Sequence, residues 1–539
     1  MSNKFEYTAI FIFLLYTIVL ALGSNQKYPT KIYYNNFFPY LADKPLSEDG
    51  YYELTVAWNI AEGKGITYNF NRPTTGIQPL SGFVFAAIAK VVIAAGGNKT
   101  TFVRAIIIFS ILLEVLFFFI VKNISNALFP VLEKKWFGIS AVIATLLNFE
   151  LLVYFTNGLE TGLYLTVLGI SLLYSFYYFK GEKKFRQSII LGTLFGLCGL
   201  ARIDFLAILA VMLSSNVYYK RLTIKQFFII CFTSFAVIIP WIFYIYKTTG
   251  FIFQSSARAE TSWLNPGNLL LRAKAMSLAL MQHLTPDIYT GNKDIVLVIV
   301  FIITIITAYI LLDDKRILHQ FDKDNIKIFK TWSIGILFLM FVYLLYSSAD
   351  YFYLRYTAPL LIIILPFFTI LLTSKIKGIK RKKLQIGFAS VAAIFFIQAV
   401  FYFHSGKMGV QQSLRIAYIK NHFNDKAVIG CFQSGVTGYY VSNVYNLDGK
   451  MDNVVLNYTK SGRFDRFIDS TGINVILEWS GIVNMFEKNY LKKNWIEYNK
   501  NIGDNRTVCL VRKDDLGKIV LSCHFDSRNR DKLRETSHE

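Results

Sequence analysis

The chain has 539 residues, 54% of them hydrophobic and 16% aromatic, and a mean hydropathy of +0.41, which excludes an ordinary soluble globular domain. Its net charge of +22 does not point to nucleic acid, because the Lys and Arg residues fall mainly in short loops between apolar runs, as positive-inside orientation produces. Five cysteines with no CxxC and no Cys/His zinc spacing exclude a zinc site and allow at most one disulfide, among Cys431, Cys509 and Cys523.

Residues 7–22 form the first apolar run, with only Lys4 before it and no small-residue cleavage site after it. This predicts a retained first span, not a signal peptide. The next segment reads Glu48-Asp49-Gly50-Tyr51-Tyr52, followed by apolar residues at Leu54, Ala57, Trp58 and Ala61. That spacing predicts an amphipathic helix of three turns with Gly63 at its C-cap and the two acids at its N-terminus, where the helix dipole favours the ionised form.

Basic clusters at 134–135, 180–186, 220–225, 315–330 and 375–383 all belong on the cytoplasmic side. Parity then decides two doubtful segments. If residues 79–97 crossed the membrane, every basic loop would lie outside, so this run, broken by Gly82 and Lys90, is predicted to be an interfacial or re-entrant helix inside one external loop, 24–101. Residues 188–218 have basic clusters at both ends and Arg202 and Asp204 in the middle, which predicts two short helices meeting at the external surface. The expected spans are 5–23, 102–121, 137–155, 162–179, 187–201, 203–218, 226–246, 293–312, 331–347, 354–373 and 385–403. The tail, 404–539, alternates short apolar and polar stretches as a small α/β domain does, with 507–512 and 518–525 read as a hairpin. The fold class is therefore an α-helical polytopic membrane protein of about eleven spans: a membrane catalytic domain over 1–403 and an external α/β domain over 404–539.

Ionisable residues near a membrane cost several kcal/mol unless paired or hydrated, so they are functional candidates. Four external tips carry carboxylates: Glu48 and Asp49, then Glu160, Asp204 and Asp350. Arg72, Arg202, Arg258, Arg272, Lys274 and Arg355 complement them. Arg355 lies in an aromatic run, Tyr351-Phe352-Tyr353-Leu354-Arg355-Tyr356, where a guanidinium can take a phosphate bidentately while rings cover lipid or sugar.

The stretch EDGYYELTVAWNIAEGKGITYNF followed by TTGIQPLSG resembles the first-loop signature of the GT-C-type polyprenyl-phosphate-sugar glycosyltransferases, among them arabinofuranosyl-, aminoarabinose- and mannosyltransferase-like members. Asn157-Gly158-Leu159-Glu160-Thr161, Leu200-Ala201-Arg202-Ile203-Asp204, Arg355-Tyr356-Thr357-Ala358-Pro359-Leu360 and, in the tail, residues 435–440 with Asn446-Leu447-Asp448-Gly449 resemble further family elements in family order. Three positions depart from the pattern: Glu48 stands where Asp is common, Gln78 where His or an apolar residue is common, and Ile203 where Pro is common.

The resemblance implies transfer of a sugar with inversion from a polyprenyl-phosphate donor to an extracytoplasmic glycan, lipid or protein. Asp49 or Glu48 would be the base, with Glu160 beside them; Arg355, Arg258 and Arg202 would stabilise the leaving phosphate; and Tyr52, Tyr353 and Gln78 would line the substrate site. A divalent cation, Mg or Mn, held by Asp49 and Glu48 is an open expectation, since some relatives use one and others do not. The expected surroundings are the lipid bilayer of a bacterial inner membrane, with the active site and the tail outside. Two alternatives are a lipid-linked oligosaccharide flippase or polymerase, and a non-enzymatic scaffold or channel.

Overall fold

The computed structural model describes residues 2–22, 45–70, 72–130, 134–182, 184–260, 266–283, 320–346, 353–376, 380–405, 411–483, 494–498 and 507–521. The helices begin with α1 (Ser2–Leu22), α2 (Glu48–Ala61), α3 (Pro79–Ala94), α4 (Lys99–Leu128), α5 (Lys134–Ala144) and α6 (Phe149–Thr156). They continue with α7 (Thr161–Lys180), α8 (Phe185–Ala201), α9 (Phe205–Tyr218), α10 (Ile224–Thr249), α11 (Ser255–Glu260) and α12 (Pro266–Gln282). Long helices at Lys323–Tyr346, Tyr353–Ile376 and Lys382–Phe403 complete the bundle.

Among the described residues seven helices are long and apolar enough to cross a membrane, and the pair formed by α5 and α6, bent by 56°, makes an eighth if counted as one span. Helices α8 and α9 have 17 and 14 residues. At 1.5 Å per residue they reach about 25 and 21 Å, each short of a hydrocarbon core of roughly 30 Å. They meet at Arg202-Ile203-Asp204 as expected, but neither is long enough to cross by itself. The expected span at 293–312 and the expected external Asp350 lie outside the described residues.

Close helix packing explains why α8 is rich in glycine. A Cβ at Gly196 would lie 2.6 Å from the Val237 Cβ of α10 and one at Gly192 would lie 1.7 Å from the Thr233 hydroxyl, while the Ser234 hydroxyl donates to the Gly192 carbonyl at 2.9 Å. In a bilayer, where apolar contact with lipid competes with apolar contact between helices, small residues that let backbones approach are what drive such pairing. At one end of the bundle Asp322 N–H bonds the Leu128 carbonyl at 2.9 Å and the Asp322 carboxylate pairs with Lys180 at 2.8 Å. The ends of α4 and α7 and the start of Lys323–Tyr346 are therefore neighbours there. The tips bearing Asp49, Glu160, Arg202 and Arg355 gather at the other end.

The first loop contains α2, α3 and a short hairpin, β1 (Thr67–Tyr68) with β2 (Arg72–Pro73). Ser47, one residue before the acids, caps α2 by accepting from Gly50 N–H. Glu62 is the C-cap, and Gly63 follows it at φ 81°.

The C-terminal region forms a five-stranded sheet of order β4-β3-β5-β7-β6, built from β3 (Ile429–Cys431), β4 (Val444–Asn446), β5 (Val475–Trp479), β6 (Trp495–Glu497) and β7 (Thr507–Arg512). Strands β3, β4 and β5 are parallel, and β7 runs antiparallel to both β5 and β6. Over the described residues, which end at 521, the expected 507–512/518–525 hairpin is not seen. With both edges of β7 taken, the chain turns into a helical stretch over Lys513–Ile519 that buries Leu516 and Ile519 at helical spacing, and Val520 bridges to Phe423 instead. Cys431 and Cys509 are buried free thiols. Val436 and Tyr439 of this region share one apolar core with Leu46, Tyr51 and Ala57 of the first loop.

Candidate active site

Where the tips meet, a cavity of about 450 Å³ opens. Helix α2 contributes Asp49, Tyr52 and Glu53; the α6–α7 turn gives Glu160; the α8–α9 break gives Arg202 and Asp204; α11 gives Glu260. Tyr343 and Tyr346 come from Lys323–Tyr346, Arg355 and Tyr356 from the next helix, and Lys450 and Met451 from the C-terminal region.

Glycine makes the approach of α2 to the α6–α7 turn possible. A Cβ at Gly50 would lie 2.3 Å from the Asn157 carbonyl oxygen, and Gly158 sits at φ 79° with its Cα against Gly50. Ser47 N–H donates to that same carbonyl at 2.9 Å. The first-loop and second-loop motifs are thus one packed unit, and it carries Asp49 and Glu160 into the same cavity.

The two adjacent acids part company. Asp49 lines the cavity, its side chain 26% exposed, with an Arg355 nitrogen 3.8 Å away. Glu48 points to the C-terminal region, where its carboxylate accepts from the backbone N–H groups of Gly435 and Val436. Burial pushes the Glu48 carboxyl up to about 8, against the opposing pull of those two N–H groups and of Arg415. Glu53 is pushed by burial to about 8 as well, although Gln78 N–H at 2.8 Å and the Ser81 hydroxyl bind its oxygens. Glu53 thereby anchors the start of α3, and the Gln78 side chain lines the cavity.

Arg202 is fully engaged. Its guanidinium bonds Glu160 at 2.5 Å and Asp204 at 2.6 Å and donates to the Tyr343 hydroxyl at 3.2 Å, while Tyr343 donates to Asp204. Tyr343 and Tyr356 stack with ring centres 4.9 Å apart, and the Arg202 guanidinium lies 5.0 Å from the Tyr356 ring centre. Tyr356 donates to Glu260 at 2.8 Å, and Glu260 pairs with Lys450 at 2.7 Å. Burial alone would raise the Glu260 carboxyl, but Lys450 and Arg355 hold it below its ordinary value. Lys450 is likewise held above its ordinary value: burial opposes this, and Asp49, Glu260 and Asp448 outweigh it.

Besides Glu48, two expected site residues lie outside the cavity lining. Arg258 bonds Asn453 at 2.6 Å and covers the Phe251 ring, outside the cavity lining. Tyr353 is buried, its hydroxyl donating to the Tyr343 carbonyl at 3.3 Å. Conversely Glu53, Glu260 and Lys450 line the cavity although the sequence reading did not single them out. For Glu53 a signal existed, an acid one helical turn after Asp49 on the same face; for Lys450, hundreds of residues away, there was none.

The cavity also has an apolar side. Leu339, Val342, Tyr343 and Tyr346 follow i, i+3, i+4, i+7 spacing on one helix, and Ile203, Leu206 and Ala207 from the α8–α9 break and α9 line the cavity with them. As for a divalent cation, among the described residues no group of three or more His, Cys, Asp or Glu is arranged to hold a metal ion. Glu48 faces away, and Arg202 and Lys450 occupy Glu160, Asp204 and Glu260, so the described residues of the cavity do not form a ligand set for one.

Among the described residues, the helical bundle gathers its inter-helix tips and first-loop helices around an acidic cavity beside a C-terminal mixed sheet. No protein-family model and no curated protein matches the sequence, but solved structures share the fold. ArnT from Cupriavidus metallidurans bound to undecaprenyl phosphate aligns over 95% of this chain and 98% of its own, with a TM-score of 0.60 at 10% identity. The apo state of the same protein aligns over 87% of this chain and 94% of its own at TM-score 0.56 and 10% identity.

Proposed function

We propose that the protein is a membrane glycosyltransferase that moves a sugar from a polyprenyl-phosphate donor to an extracytoplasmic hydroxyl acceptor, with inversion. The observation that carries the reading is the two-sided cavity: carboxylates and cations at the tips, and a stripe of aliphatic and aromatic side chains along the 323–346 helix that suits a polyprenyl chain. The fold shared with ArnT, solved bound to undecaprenyl phosphate, supports it.

In this reading Asp49 is the general base. It sits in the first turn of α2, and it is the member of the acidic pair that faces the cavity. Asp49 takes the proton of the acceptor hydroxyl, the oxygen bonds to the anomeric carbon, and the bond from that carbon to the phosphate oxygen breaks. Polyprenyl phosphate leaves carrying the electron pair, and Arg355, within reach of Asp49, stabilises the developing charge. Arg202 holds Glu160 and Asp204 in place, so its part is positioning. No step is routed through a metal ion. The site and the C-terminal region face the outside of a bacterial plasma membrane, and the acceptor is a glycan, lipid or protein of the envelope.

The test is replacement of the chromosomal copy by Asp49→Asn, followed by mass spectrometry of envelope glycans and lipid-linked sugars. The variant accumulates the unused lipid-linked sugar; a normal profile rejects Asp49 as base.

A further inference from the structure

The cavity has more anions than cations. Asp49, Glu160, Asp204 and Glu260 face Arg202, Arg355 and Lys450, four charges against three, while burial keeps Glu53 largely protonated near neutral pH. A lipid phosphate entering this site needs a cation that can turn towards it. Arg202 is forked between two carboxylates and buried, so turning it would strand both.

Lys450 differs in build. Its main chain is pinned: the carbonyl accepts from the Ser255 hydroxyl at 2.7 Å, and Gly76 packs on it so closely that a Cβ there would come within 2.3 Å. Its N–H donates to Asp448 at 2.8 Å. The four-carbon stem beyond this anchor is 21% exposed, and its ammonium meets Glu260 at 2.7 Å, with Asp49 and Asp448 also acting on it. Glu260 also receives the Tyr356 hydroxyl, so it keeps a hydrogen bond when the ammonium leaves.

We infer that the C-terminal region belongs to the donor site through Lys450, whose ammonium exchanges its bond to Glu260 for the phosphate of the lipid donor, opposite Arg355. This rests on the polyprenyl-phosphate reading given above. The C-terminal sheet region is then no passive cover, because it delivers one of the two cations that meet the leaving group. Lys450 acts as a point charge on a flexible stem, suited to meeting a group whose position changes as the bond to the sugar breaks.

The experiment titrates full-length protein in nanodiscs with undecaprenyl phosphate and, as the uncharged counterpart, undecaprenol. Wild-type protein binds the phosphate more tightly than the alcohol. Lys450→Gln weakens phosphate binding about tenfold or more, the size of a lost charge-assisted bond, and leaves the alcohol within about twofold. Lys450→Arg restores the phosphate preference in part. Unchanged phosphate affinity in Lys450→Gln, with Arg355→Ala losing it, overturns the inference and leaves the donor reading standing. Equal loss of phosphate and alcohol shows collapse of the cavity and overturns it as well. A wild-type protein that does not distinguish phosphate from alcohol overturns the donor reading itself.

Discussion

Replacing each of the two neighbouring acids separately gives opposite outcomes if the geometry is read correctly. In Asp49→Asn the shape is kept and the proton acceptor is lost; general-base catalysis contributes roughly 10²–10⁴ in rate, or about 3–5 kcal/mol of barrier. Stability should change by less than about 1 kcal/mol, because Asp49 is 26% exposed and its ion-pair partner is 3.8 Å away. In Glu48→Gln the amide oxygen can accept from one of Gly435 and Val436, but the amide nitrogen cannot accept from the other. One buried N–H is left without an acceptor, at a cost of roughly 1–3 kcal/mol. The assays are thermal unfolding of the purified variants and the envelope glycan profile of cells that depend on them. Asp49→Asn should abolish transfer in a stable protein, and Glu48→Gln should lower the unfolding temperature while retaining transfer. Transfer lost in Glu48→Gln at unchanged stability, with Asp49→Asn active, would refute the assignment.

Arg202→Leu should destabilise the protein by about 3–5 kcal/mol, the cost of stranding the buried Glu160 and Asp204; an unchanged thermal midpoint would return Arg202 to the phosphate site. Gly196→Leu should cost roughly 1–3 kcal/mol or more by forcing α8 from α10, seen as lost monodisperse protein on size exclusion. The folded carboxyls of Glu48 and Glu53 lie at about 8, above the ordinary 4.5. Their contribution to stability is therefore fully present below about pH 4.5 and is lost as pH rises through about 8. Thermal scans at pH 6 and pH 9 should show this fall, and the double Gln variant should flatten it. Finally, Glu62→Cys in a background free of other cysteines should react with an impermeant maleimide from outside the cell, since Glu62 ends α2 at an exposed position; labelling only after lysis contradicts the orientation.

Much of the site was legible because charge is conspicuous in apolar sequence. The tips bearing Asp49, Glu160, Arg202 and Arg355 could be assigned to one side by parity alone, and they meet in one cavity. The break at Arg202-Ile203-Asp204 was readable for the same reason. The sequence could not say which of Glu48 and Asp49 faces the cavity, because adjacent helical residues differ by about 100° in direction and the deciding partner is a backbone in the C-terminal region. Lys450 and Glu260 are ordinary surface-type residues until Gly76 and Ser255 bring residue 450 against α11. The mistaken hairpin over 507–525 came from reading Asp514-Asp515-Leu516-Gly517 as a turn. Pairing of β7 with both neighbours settled that segment, and such pairing is non-local.

The bond from Gly435 to Glu48 joins residues 387 apart in the chain. At synthesis rates of 5–20 residues per second, roughly 20–80 s separate the emergence of its two ends. During that interval the first loop has its acids but neither the backbone that orients Glu48 nor the lysine that faces Asp49. A nascent chain can insert its early spans and still lack a completed cavity. If the proposed transfer takes place there, it needs the residues from about 435 onward that supply the Glu48 partners and Lys450.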